Sequence, residues 1–142
     1  MIEAENRGGV ILALHRATHA TLYALTARLA DLDLPAADIN VLANLADGTG
    51  RTVGALATAT ATRPSTLTSL LDRLTRRGFI VRESDPADRR SFVIRMTPAG
   101  QAAAVRAAEA IAELERQALA TVTPRQRAGF HAVIDALTEV PR

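Results

Sequence analysis

The 142-residue chain has no cysteine, no lysine and no tryptophan, and its aromatics amount to three phenylalanines and one tyrosine. Without cysteine there is no disulfide framework, thiolate zinc site, cysteine nucleophile or thiol redox switch. Methionine is nearly as scarce, with Met1 and Met96 alone, so thioether oxidation is not expected as a signal either. No apolar run approaches the roughly 20 residues of a membrane span. The opening "MIEAENRGG" lacks the basic and apolar regions of a signal peptide. A soluble, cytoplasmic protein without a membrane partner is therefore expected. No Ser-His-Asp order, glycine-rich phosphate loop or HExxH is found, so neither an enzyme nor a cofactor is expected. The shortage of aromatics argues against base-stacking platforms of the kind used on single-stranded nucleic acid.

What is present is one domain's length of chain and an uneven charge. Residues 1–50 hold three Arg against six acids, residues 51–95 nine against four, and residues 96–142 five against five. The middle third is thus the basic one, at +5. A basic surface with few aromatics suits the backbone of duplex nucleic acid.

Apolar periodicity divides the chain into elements. Ile11, Leu14, Leu22, Leu25 and Leu29 recur at helical steps between Val10 and Ala30, and "DLDLP" ends that helix. Ile39, Val41, Leu42, Leu45 and Ala46 make a shorter one, stopped by "DGTG". Thr52 is placed to cap a brief helix carrying Val53, Leu56 and Ala57. After "TATATR", Pro64 opens a helix with Leu67, Leu70, Leu71 and Leu74 on one stripe, ending at Gly78. Its other face offers Ser65, Thr68 and Ser69 first, then Asp72, Arg73 and Arg76. Ordinary solvated faces favour Glu and Lys, so hydroxyls followed by arginines are a candidate binding face. "FIV" and "FVIRM" read as the strands of a hairpin whose loop is "RESDPADRRS". Thr97 with Pro98 and Thr123 with Pro124 each cap a closing helix, the last carrying Phe130, Val133, Ile134 and Leu137.

The order helix, helix, turn, helix, hairpin inside longer helices is that of a winged helix-turn-helix. The expected fold is mainly α with a small β-hairpin wing inside a helical frame. A helix of this kind suits the major groove, and wing arginines suit a narrow minor groove. Asp85 and Asp88 could hold those arginines by bidentate pairing.

Residues 56–100, "LATATATRPSTLTSLLDRLTRRGFIVRESDPADRRSFVIRMTPAG", resemble the MarR family of bacterial transcriptional regulators. The likeness lies in the "DRL" of the recognition helix, the "RRGFIVR" entry to the wing, the "DPADRR" tip and the "MTPAG" exit, and the flanking helices match in order. The resemblance implies a homodimer, with residues 1–32 and 98–142 as dimerisation region and 36–97 as DNA-binding lobe. It also implies a pseudo-palindromic duplex operator and a repressor released by a small aromatic or other organic effector. It assigns Ser65, Thr66, Thr68, Ser69 and Arg73 to base recognition, Arg89 and Arg90 to the wing with Arg90 in the minor groove, and Asp88 to wing support. Arg63, Arg76 and Arg77 become phosphate or packing candidates. Two positions depart from the family pattern. Ser69 stands where many relatives carry arginine, and Arg63 stands where many carry a capping side chain; arginine has no acceptor for that role, leaving Thr62 or solvent.

His15, His19 and Tyr23 share one face of the first helix, with Arg16 beside them. That face either lines an effector pocket, where Arg16 meets an anionic ligand, or forms a seam of the dimer. A metal site is not expected, because His131 is the one other imidazole and no carboxylate is near in sequence. Glu109 and Glu113 lie four apart as paired catalytic carboxylates could, but a solvated helix face explains them. The alternatives to a DNA-binding regulator are a winged-helix interaction or scaffold module without an operator, and a metal-responsive regulator.

Overall fold

Threonine, proline and glycine set most of the boundaries. In the computed structural model, which describes residues 9–140, three helices start on a threonine whose hydroxyl accepts a backbone N–H of the first turn. Thr52 accepts from Ala55, Thr97 from Gly100, and Thr123 from Gln126 in a full capping box. Residues 1–8 and 141–142, the outer ends of the expected dimerisation region, lie outside the described residues, as does Met1.

The order is α1 (Val10–Arg28), a 3-10 turn (Ala30–Leu32), α2 (Ala36–Asn44), β1 (Arg51–Thr52), α3 (Val53–Ala59), α4 (Pro64–Arg76), β2 (Ile80–Asp85), β3 (Asp88–Met96), α5 (Pro98–Ala118) and α6 (Pro124–Thr138). The strands form one antiparallel sheet in the order β1-β3-β2. The fold is the expected one: helices around a small wing.

Two local expectations are corrected. The charged run "RESDPADRRS" is not a loop: β2 and β3 stay paired from Ile80 opposite Met96 up to Asp85 opposite Asp88, leaving Pro86 and Ala87 as the turn. Charged residues are tolerated in these strands because the wing leaves the body, burying only Ile80 and Ile94. Strand β1 was not foreseen; two residues carry no periodicity, and Arg51 and Thr52 become a strand by pairing with Ile94 and Val93.

The core lies under the winged lobe. Leu67, Leu70, Leu71 and Leu74 of α4 are at most 3% exposed, against Leu56 of α3, Ile39, Leu42 and Leu45 of the α2 segment, and Ile80 and Ile94 of the wing. Ala103, Ala104 and Ala107 of α5 close it, their small side chains permitting near approach of α2. Gly100 is demanded here: a Cβ would fall 1.8 Å from the Phe79 carbonyl oxygen. Gly78, at φ +76°, lets the chain leave α4 for the wing.

The frame is different. Helix α6 buries no residue, and Phe130 and Val133 remain 56% and 42% exposed. Helix α1 buries Leu25, with Leu29 just beyond its end, while Val10, Ile11 and Leu12 are exposed. Between them runs an apolar groove of 430 Å³, lined by Val10, Ala13, Leu14 and Ala17 on one side and by Gly129, Phe130, Val133, Ile134 and Leu137 on the other.

Candidate nucleic-acid interface

Helices α3 and α4 are joined by Thr60–Arg63, a turn made possible by Ala61 at φ +49°. With its leucines in the core, α4 exposes Ser65, Thr66, Thr68 and Ser69 on the outer face. Thr68 donates to the Pro64 carbonyl at 2.9 Å, leaving its oxygen free to accept. No side chain caps α4: Arg63 stands at the N-cap, and the Thr62 hydroxyl donates to the Thr60 carbonyl instead. The helix therefore presents unpaired backbone N–H groups and the positive end of its dipole beside Arg63, an arrangement that attracts anions.

The arginines divide by what they touch. Arg73, expected among the base readers, clasps Asp38 of α2, with Nε 2.8 Å from Oδ2 and a terminal nitrogen 2.5 Å from Oδ1. Asp38 is fully buried, while the Arg73 side chain is 41% exposed. The hydrogen bonds to Asp38, and then its charge, raise the pKa of Arg73 above the ordinary arginine value. Arg77 donates to the carbonyls of Asp33 at 2.6 Å and Leu32 at 2.7 Å, and its guanidinium lies over the Phe79 ring. Of the two roles open to Arg77, packing is the one its contacts fill. Arg82 pairs with Asp72 of α4 and Arg95 with Glu83 across the wing. Arg63, Arg76, Arg89 and Arg90 are exposed, and their guanidinium groups have no hydrogen-bond or ion-pair partner among the described residues.

The wing tip corrects another expectation. Asp85 and Asp88 do not pair with arginine side chains: Asp85 Oδ1 accepts the Ala87 N–H and Asp88 Oδ1 the Arg90 N–H, each at 2.9 Å. A carboxylate reaches the N–H two residues on with little further loss of chain freedom, and so folds the turn itself. Asp88 supports the wing by shaping its backbone, which leaves both guanidinium groups of the tip unengaged.

His15, Arg16, His19 and Tyr23 are all exposed on α1, Tyr23 at 79%. None of the four lines the α1–α6 groove. Asp38 is the residue that sequence reasoning passed over. An acid in the first turn of a helix is common enough to pass as a partner of the dipole, and only the packing of α4 across α2 buries it.

Residues 32–91 match the family model described as MarR family. A proposed transcriptional regulatory protein for the hcr operon of Thauera aromatica is 30% identical over 83 residues, 58% of this chain. That alignment spans 50% of the relative's own length. Among solved structures, BpsR of Bordetella bronchiseptica, described through the regulation of its DNA binding by 6-hydroxynicotinic acid, is similar at TM-score 0.80. The identity is 23%, over 96% of this chain and 97% of that one. The transcriptional repressor CouR, bound to a 23-mer DNA duplex, has TM-score 0.75 and 26% identity, over 92% of this chain and 93% of CouR.

Proposed function

We propose that the chain, whose residues 32–91 match the MarR family model, is a winged helix-turn-helix transcriptional regulator of that family, acting as a homodimeric repressor of duplex operator DNA released by a small organic effector. The observation that carries this reading is the face formed by the outer side of α4 and the wing. There Ser65, Thr66, Thr68 and Ser69 are flanked by four unengaged arginines, Arg63, Arg76, Arg89 and Arg90. The hydroxyls read base edges in the major groove, the uncapped start of α4 with Arg63 meets phosphate, and Arg90 enters the neighbouring minor groove. With the other three arginines of each protomer on phosphate, the logarithm of affinity falls against the logarithm of salt with a slope of about −5 for a dimer.

Dimerisation through residues 1–32 and 98–142 accounts for α6. A helix that buries nothing in its own protomer, with Phe130 and Val133 outward, gains its apolar burial from a second copy. Two copies of the 36–97 lobe then address the halves of a pseudo-palindromic site. The effector binds between frame and lobe, near the α1 face of His15, Arg16, His19 and Tyr23, and shifts the spacing of the two α4 helices. The setting is the cytoplasm, and none of the described helices is long and apolar enough to cross a membrane.

The test is a gel-shift titration against DNA flanking the protein's own gene, at two salt concentrations and with nonspecific competitor. A complex of nanomolar order that survives competitor and weakens with salt supports the regulator. Binding abolished by competitor there, and no preferred sequence in a genome-wide selection of bound fragments, would leave an interaction module instead.

A further inference from the structure

Asp38 is the one buried charged or polar residue among those described. Placing a carboxylate in a leucine-lined core is costly, and well-packed apolar side chains at such sites are often as stabilising as the ion pair. Stability alone is therefore a poor reason for it. What the pair supplies is direction: leucine packing leaves α4 free to slide or turn slightly in its socket, whereas a planar guanidinium forked on both oxygens of one carboxylate fixes an angle.

The pair is one of three grips on the same short segment. Arg77, at the end of α4, binds the Leu32 and Asp33 carbonyls, and Arg106 of α5 binds both oxygens of Asp31. Residues 31–38 join α1 of the frame to α2 of the lobe. The connector is thus tied to α4 on one side and to α5 on the other, and two of the three arginines that tie it, Arg73 and Arg77, are ones the charge pattern alone offers to DNA.

We propose that Asp38 and Arg73 are positioning residues for DNA reading: their forked ion pair sets the angle of α4 against α2, the lobe helix that packs on α5 of the frame, and Arg73 is withheld from the phosphates. This rests on the DNA-binding reading above. Base readout in a dimer demands that two α4 helices meet successive major grooves, so a small rotation of each costs specific contacts while leaving general attraction to the backbone intact.

The experiment compares wild type with Asp38→Asn, Arg73→Gln and Arg73→Lys. Each is titrated over a range of salt against a duplex enriched by the wild-type protein from a random-sequence pool, and against the unselected pool. All three variants are expected to lose about tenfold or more on the selected duplex, the scale of one mismatched base pair. They keep wild-type affinity for the pool and a wild-type salt slope. Arg73→Lys is the decisive variant, because lysine retains the charge a phosphate requires and cannot make the fork. A salt slope reduced by about one per protomer in Arg73→Gln, with slope and affinity restored in Arg73→Lys, makes Arg73 a phosphate contact and overturns the proposal. Should Asp38→Asn fail to fold by circular dichroism, Arg73→Lys decides with the same two outcomes. A wild type that enriches no sequence removes the regulator reading and this inference together; a wild type that does, matched by Arg73→Lys, removes the inference alone.

Discussion

Helices α4 and α6 both carry an apolar stripe at helical spacing, and they end in opposite circumstances. The four leucines of α4 are at most 3% exposed within one protomer, while α6 buries no residue there. The winged lobe encloses its own core; the frame is left with apolar surface that a second copy is suited to cover. The segment that joins lobe and frame is held by Arg73 and Arg77 on the α4 side and by Arg106 of α5.

The comparison is broken most severely by truncating Leu71, which is fully buried. Leu71→Ala should cost about 3 kcal/mol, within the usual range for a large-to-small core change, and lower the thermal midpoint. Phe130→Asp should instead leave the winged lobe folded and shift the species in analytical ultracentrifugation from dimer to monomer. A Phe130→Asp protein that remains dimeric would deny α6 its role.

At the interface the contrast is between engaged and unengaged arginines. Arg90→Ala should weaken operator binding by about 1–3 kcal/mol, the scale of a groove contact. The fold should be unaffected, since Arg90 contributes only its backbone N–H to the turn. Unchanged affinity at fixed salt would remove the wing from the interface.

The smallest effect concerns Asp31. Its carboxyl is held below the ordinary value of 3.8, chiefly by the hydrogen bonds from Arg106. A carboxylate depressed in the folded state contributes stability that is present above its unfolded pKa and lost as pH falls through its folded pKa. Asp31→Asn should therefore lower the thermal midpoint slightly near neutral pH and converge with wild type in acid. Both groups are exposed, so added salt should shrink the difference. A gap that persists in acid would assign the effect to packing.

Helix positions were largely legible in the sequence because their causes are local. The leucine spacing of α4, the threonine caps at Thr52, Thr97 and Thr123, and the stop at Gly78 each depend on a few adjacent residues. The wing was foreseen, but its loop was drawn too long, since charged residues resemble a loop until the strand pairing that carries them out of the core is known. Strand β1 had no signal of its own. Among the interface residues, the hydroxyls of α4 and the wing arginines emerge exposed as their pattern implied, while Arg73 and Arg77 turn inward to Asp38 and the connector.

Sequence by itself determined the order of the helices and the wing, the apolar stripes of α1, α4 and α6 and the concentration of positive charge in the middle third, because periodicity and composition act along the chain. Tertiary structure decided which stripes are covered within one protomer and which arginines remain unengaged. An arginine carries the same charge wherever it stands. Whether that charge meets a buried carboxylate 35 residues away, as Arg73 meets Asp38, or faces solvent, as Arg90 does, depends on how helices cross, which no local pattern encodes.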